Sequence, residues 1–315
     1  MMRILALVPG GIGDQILFFP TLHSLKQSYP DAEIDVVVEP GSKGAYRVCQ
    51  SVENTIAFNF KDRNSLADWS NLLGTIRDRE YEAVLYLGQQ FSIGFLLWLT
   101  GIPTRVGYAG NAASPFLTHP LPLKTEQYAT HMYYDLLQGL GIAVPCPDLS
   151  LNVPQPDIQW SEAEQKRLGI QDSGYVLIHS GSSQEKDSYP VEHWQAIIQA
   201  FQQRQPQLPI VLLQGADDGA QIAALSQTCP DVKVSAPNDV GKLAATIAAA
   251  NLMLCLESDA LHLAVAVQVP TVALCGPTHA KKLLPGNDKF LAIQSPTGKT
   301  ADIEPQKVLE RLWPG

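Results

Sequence analysis

The first residue placed to do chemistry is Asp14, which closes the stretch Val8-Pro-Gly-Gly-Ile-Gly-Asp14. The apolar run 3–8 reads as a strand, and the segment from the glycine turn to near Tyr29 reads as a helix. Gly10, Gly11 and Gly13 permit positive φ and close approach of another molecule to the backbone. A carboxylate delivered there has two uses. It can accept from unpaired N–H groups at the helix start, or it can meet a ligand, because open α/β sheets bind ligands outside the carboxyl ends of their strands. Spacing alone leaves both open.

The glycines do not make a dinucleotide fingerprint. Ile16 and Leu17 stand where a third glycine is wanted, and Pro20 is expected to interrupt the helix. Asp35 is at a suitable distance, but it opens the run 34–38 and so lies at the wrong end of a strand to hold a ribose. A nicotinamide or flavin enzyme is disfavoured.

Two later constellations also fall at strand ends. His179-Ser-Gly-Ser-Ser183, followed by Lys186, offers backbone N–H groups, hydroxyls and an ammonium to a phosphate, although an ordinary Ser/Gly loop has the same composition. No G-x-x-x-x-G-K-[ST] pattern is present, so there is no case for a Walker ATPase. His179 itself reads better as a packed strand-end residue than as a catalyst. In Glu257-Ser-Asp-Ala-Leu-His262, either Ser258 or Asp259 can cap the following helix, whose N-terminus carries partial positive charge for a phosphate. Glu257 can accept from sugar or ribose hydroxyls, and His262, one turn in, either faces a ligand or packs.

The elements that must position these groups alternate as in a doubly wound parallel sheet. In the first half, strands are expected at 3–8, 34–38, 55–58, 83–87 and 104–107, with Glu39-Pro-Gly-Ser-Lys-Gly44 and Gly88-Gln-Gln-Phe-Ser-Ile-Gly94 as loops able to hold an acceptor. Four prolines between Pro145 and Pro156 read as a linker. A helix is expected from Ser161 to about Leu168, capped by Ser161 with Glu164 as capping-box partner. Six further strands, at 175–179, 209–213, 232–235, 252–256, 271–275 and 290–293, make a second Rossmann-like sheet. The expected organisation is therefore α/β with two domains, 1–155 and 156–315, the short last helix (305–313) being free to pack back on the first.

With 315 residues and 45% hydrophobic content, the chain can bury two ordinary cores. A net charge of −9 provides no electrostatic footprint for nucleic acid. The five cysteines are dispersed and never paired as C-x-x-C, which argues for a reducing compartment and against a metal knuckle or disulfide framework. Met1 is expected to lead directly into a strand, with no basic n-region or cleavable apolar segment. The longest apolar run, 91–100, is broken by Ser92 and Gly94 and is too short to span a bilayer. A cytoplasmic protein that at most touches a membrane is expected; the basic pairs Lys281-Lys282 and Arg77 to Arg79 are too small to indicate more.

Taken together, three regions resemble the family 9 glycosyltransferases, the family of the lipopolysaccharide heptosyltransferases. They are Gly13-Asp14 with Pro20, Leu25-Lys26 and Tyr29-Pro-Asp-Ala-Glu-Ile-Asp35; Ile178-His-Ser-Gly-Ser-Ser183 with Lys186 and Tyr189-Pro-Val-Glu-His-Trp194; and Ser258 to Leu263 with Pro270-Thr-Val-Ala-Leu-Cys-Gly-Pro-Thr278. The resemblance spans nearly the whole chain. It implies a GT-B fold, with two Rossmann-like domains facing an interdomain cleft, and inverting transfer of a sugar, heptose or related, from a nucleotide diphosphate donor, ADP-linked in that family. The receiving group is a hydroxyl of a lipid-linked saccharide, of lipopolysaccharide type or another glycan.

Asp14 matches the family's proposed general base, with Gly11 and Gly13 as acceptor-side backbone. Ser182, Ser183 and Lys186 match the donor-phosphate region, and Glu257, Ser258, Asp259 and His262 fall in the second donor-binding stretch, where many members carry Asp-Ser-Gly in place of Glu257-Ser258-Asp259. No metal is strictly required by this reading and no cofactor beyond the donor is implied. The lipid-linked acceptor implies peripheral contact with the inner face of the cytoplasmic membrane. Two other readings stay open: a catalytically degenerate protein that binds a nucleotide sugar, and a GT-B-like nucleotide-sugar epimerase.

Overall fold

The structure is a computed structural model that describes residues 2–61, 64–181, 188–215 and 218–313. The chain divides into two compact units, Met1–Asn152 and Val153–Gly315.

The first unit is built on a parallel sheet of β1 (Arg3–Val8), β2 (Glu33–Val38), β3 (Asn54–Ala57), β4 (Ala83–Tyr86), β5 (Thr104–Tyr108) and β6 (His119–Leu121), in the order β3-β2-β1-β4-β5-β6. Residues 4–8 of β1 are all fully buried, as a central strand covered on both faces requires. Among the described residues the one strand not anticipated is β6, a three-residue edge strand with Pro120 at its centre. Proline is a signal against a strand everywhere except at an edge. The helices are α1 (Ile12–Ser28), α2 (Leu66–Asp78), α3 (Phe91–Thr100) and α4 (Ala129–Tyr134), with 3-10 segments at Pro40–Val48, Ser114–Phe116 and Asp135–Leu140.

The expected interruption at Pro20 does not occur, for α1 continues through it. An interior proline costs about 3 kcal/mol. Against this, α1 buries Ile16, Leu17, Phe18, Phe19, Leu22 and Leu25, each contributing roughly 1.5–3 kcal/mol. Packing outweighs the lost backbone bond.

The second unit repeats the architecture with β7 (Val176–His179), β8 (Ile210–Leu213), β9 (Lys233–Ser235), β10 (Leu252–Leu256), β11 (Thr271–Cys275) and β12 (Phe290–Gln294), in the order β12-β11-β10-β7-β8-β9. Its helices are α5 (Gln155–Leu168), α6 (Val191–Arg204), α7 (Gly219–Thr228), α8 (Val240–Ala248), α9 (Asp259–Ala266), α10 (Ala280–Leu283) and α11 (Pro305–Leu312). Ser161 is not the cap of α5: the helix starts six residues earlier, and Ser161 is buried in its middle. Pro156, whose fixed φ suits a first turn, together with the buried Asp157, supplies the real start signal. Glu164 instead accepts from Arg167, with both oxygens at 2.7 Å, and from Ser235. Within this unit α11 packs on α6. Val308 is buried against α6, and Trp313 lies on Phe201, with ring centroids 4.6 Å apart, beneath the Arg204 guanidinium.

In both sheets the strand order reverses beside the first strand of the unit, β1 or β7. Open parallel sheets place ligands outside the carboxyl ends of the strands at such a reversal. Asp14 follows β1, and the 179–181 turn follows β7.

Candidate functional site

The chain leaves β1 at Val8 and turns at Gly10, which has φ +118°. A Cβ on Gly10 would lie 2.1 Å from Asp14 Oδ2, so both backbone and space demand glycine there. Gly11 and Gly13 do not use the positive φ open to them, since Gly11 has φ −77° and Gly13 is already helical. Asp14 is the third residue of α1 and not its N-cap. Its Oδ2 reaches back to accept from the Gly11 N–H at 2.9 Å, and its Oδ1 accepts from the Tyr133 hydroxyl at 2.8 Å. A carboxylate has about four lone-pair positions, and these two bonds occupy two of them.

Tyr133 comes from α4, packed on α1, with its ring edge-on to Phe18. Burial, and then the neighbouring Asp14 charge, push its hydroxyl pKa well above the ordinary value, so it remains a proton-bearing donor. The glycine turn is held from below. Buried Gln15 donates to the Val8 carbonyl at 3.0 Å and accepts from the Tyr46 hydroxyl at 2.8 Å, while Ser42 donates to the Gly10 carbonyl at 2.9 Å. Tyr133, Gln15, Tyr46 and Ser42 were not singled out in the sequence; Tyr133 is 119 positions from its partner, and only folding joins them.

The loops read as acceptor-holding are more ordered than expected. Residues 40–48 form a 3-10 helix that supplies Ser42 and Tyr46, and residues 91–94 of the second loop belong to α3. Asp35, as its position at a strand opening suggested, serves the fold. Only 1% exposed, it accepts from Tyr81 at 2.6 Å, Arg79 at 2.9 Å and Asn54 at 2.9 Å.

In the second unit β10 lies beside β7 with Cys255 opposite His179, so the segments after these strands meet. Ser258 is the N-cap residue of α9, but its side chain makes no capping bond. Its Oγ is 3.2 Å from His179 Nδ1 and donates to the Leu256 carbonyl at 3.3 Å. His179 Nε2 stands 3.8 Å from Asp218, beyond hydrogen-bond length, and burial lowers the His179 pKa to about 4. The ring is therefore neutral at pH 7.

Asp259 occupies the first turn of α9. Glu257, anticipated for sugar hydroxyls, accepts from Thr278 at 2.9 Å. His262 is 8% exposed; burial lowers its pKa to about 4, and Nδ1 has no hydrogen-bond partner among the described residues. Ser180 Oγ, after β7, is in the same condition. Ser182, Ser183 and Lys186 lie outside the described residues. Among the described residues no group of three or more His, Cys, Asp or Glu side chains is arranged to hold a metal ion.

Residues 69–312 match the family model described as glycosyltransferase family 9 (heptosyltransferase). Lipopolysaccharide heptosyltransferase 3 of Escherichia coli (strain K12) is 25% identical over 282 residues, which cover 84% of this chain and 80% of that protein. Two solved structures share the fold over nearly the whole chain. A family 9 glycosyl transferase from Veillonella parvula DSM 2008 has a TM-score of 0.86 at 19% identity, covering 98% of this chain and 95% of its own. The E. coli ADP-heptose lps heptosyltransferase II has a TM-score of 0.80 at 22% identity, covering 99% and 97%.

Proposed function

The chain belongs to glycosyltransferase family 9, and on that premise we propose that it transfers a heptose or related sugar, with inversion, from an ADP-linked donor to a hydroxyl of a lipopolysaccharide-type saccharide. The observation that carries the mechanism is the doubly held Asp14 carboxylate at the sheet reversal. The Gly11 N–H and the Tyr133 hydroxyl fix its plane, and the remaining lone pairs accept the proton of the incoming hydroxyl. That oxygen attacks the anomeric carbon as the bond from carbon to the diphosphate oxygen breaks, and Asp14 ends protonated. The ADP linkage is supported by the donor named for the E. coli structure.

The departing diphosphate gains negative charge in the transition state, and groups aimed at that charge lower the barrier. The N-terminus of α9, with Ser258, supplies partial positive charge, and Ser182, Ser183 and Lys186 are assigned to the phosphates by their family positions. His179 and His262 are neutral at pH 7, so they contribute hydrogen bonds and not charge. In this reading Lys186 supplies the full positive charge.

A thermal-shift screen against ADP-, UDP-, GDP- and dTDP-linked sugars tests the donor, since a ligand that binds only the folded state raises its stability. Selective protection by the ADP series, with turnover lost in Asp14→Asn, is the expected result. Protection by another series would replace the donor, and protection by none would remove the reading.

A further inference from the structure

An α/β protein normally buries one stripe of each covering helix and wets the other. Helix α3 does not follow that pattern. Ile93, Leu96 and Leu97 face the core, and the opposite stripe consists of Phe91 (58% exposed), Phe95 (40%), Trp98 (53%) and Leu99 (42%). The rings form a row: Phe91 stacks on Phe95 with centroids 6.2 Å apart, and Phe95 stacks on Trp98 at 5.8 Å. Gly94 widens the row. A Cβ there would come within 2.9 Å of Ala113, and this close approach seats the Ser114–Phe116 turn against the helix, with Phe116 edge-on to Phe91 and Phe95.

From Glu82 to Lys124 the only Asp, Glu, Lys or Arg is Arg105, whose guanidinium is tied to the carbonyls of Ile102 and Phe116. In a chain of net charge −9 this is a long stretch without a carboxylate.

We infer that this aromatic face docks on the interfacial zone of a lipid bilayer. With ~150–250 Å² of surface per aromatic side chain, the exposed fractions amount to roughly 400 Å². Two copies joined through it would bury about 800 Å², below the ~1,200 Å² of a specific protein interface. A bilayer has no such minimum and no demand for shape, and Trp and Phe suit its headgroup level. No helix of the described residues is long and apolar enough to cross a membrane, so the contact is one of lying on the surface. Since the face carries almost no charge and the chain is acidic, attachment comes from the rings and gains nothing from anionic lipid. The inference stands on surface composition and holds whatever sugar the protein transfers.

Co-sedimentation of the full chain with phosphatidylcholine vesicles, with and without phosphatidylglycerol, tests it. The wild-type chain is expected to pellet with both, undiminished by added salt, and Phe91→Ser/Phe95→Ser/Trp98→Ser to lose about tenfold or more of the bound fraction with an unchanged melting temperature. Trp98→Phe keeps an apolar ring and guards against misfolding of the triple variant; the emission it removes is expected to be the component that shifts to the blue on vesicles. Wild-type protein remaining in the supernatant, or a well-folded triple variant binding equally, overturns the inference. So does a wild-type dimer that the triple substitution converts to monomer, because the face would then join copies of the chain.

Discussion

The hydroxyl of Tyr133 donates to Asp14 Oδ1 at 2.8 Å, joining α4 to the start of α1. If Asp14 takes the acceptor proton and Tyr133 only orients it, the two substitutions separate. Asp14→Asn is expected to lower kcat by about 10²–10⁴-fold while leaving nucleotide-induced thermal protection intact. Tyr133→Phe is expected to cost nearer tenfold, because the Gly11 N–H still holds the other oxygen. Steady-state kinetics paired with thermal shift decides it, and equal losses in the two variants would mean that Tyr133 does more than orient.

Gly10 is expected to be intolerant for two separable reasons, its φ of +118° and the 2.1 Å that a Cβ would leave to Asp14 Oδ2. Gly10→Ala should cost about 1–3 kcal/mol and turnover as well. Gly101→Ala serves as control: its φ is +79°, but nothing lies within 4 Å of a Cβ there, so a cost of roughly 1 kcal/mol with unchanged turnover is expected. Urea melts and activity on both variants check the contrast.

Asp35 is buried and accepts from three side chains, which makes it structural. Asp35→Ala would leave the Tyr81 hydroxyl and the Arg79 guanidinium without their acceptor. A loss of ~3 kcal/mol or more in unfolding free energy is expected, with nucleotide protection retained below the melting temperature. Protection lost from a well-folded variant would assign Asp35 to ligand binding after all.

The buried histidines set an acid limit. Burial lowers His179 and His262 from 6.5 to about 4 in the folded chain, so between those values the unfolded state binds more protons. Stability then rises with pH: it is lost as pH falls from about 6.5 toward 4, by roughly 2–3 kcal/mol per ring over the whole window, and is insensitive to these groups above it. Denaturant melts between pH 7 and pH 4.5 should show the slope, and His262→Asn should flatten it. A variant slope equal to that of the wild-type chain would remove His262 as a contributor.

What could be read from the residues was whatever depends on near neighbours or on periodicity. Among the described residues the apolar runs located eleven of the twelve strands, since strands of a covered parallel sheet are largely apolar, and they failed at the edge strand containing Pro120. Gly10 and Asp14 were legible because turn and acid lie four residues apart. Ser161 misled because a Ser-x-x-Glu spacing is identical in a cap and in the middle of a helix.

The sequence by itself therefore determined the two-sheet architecture, the family and the position of Asp14 at the end of the first strand. Tertiary structure alone decided what holds Asp14: Tyr133 arrives from 119 positions away, Ser42 and Tyr46 brace the turn from a 3-10 helix, and Ser258 meets His179 only because β10 lies beside β7. It also decided that one stripe of α3 stays uncovered. The physical reason is common to all of these. Backbone conformation and burial pattern are written in spacings of two to four residues, whereas a hydrogen bond between distant segments depends on strand order and helix packing, which no local spacing records.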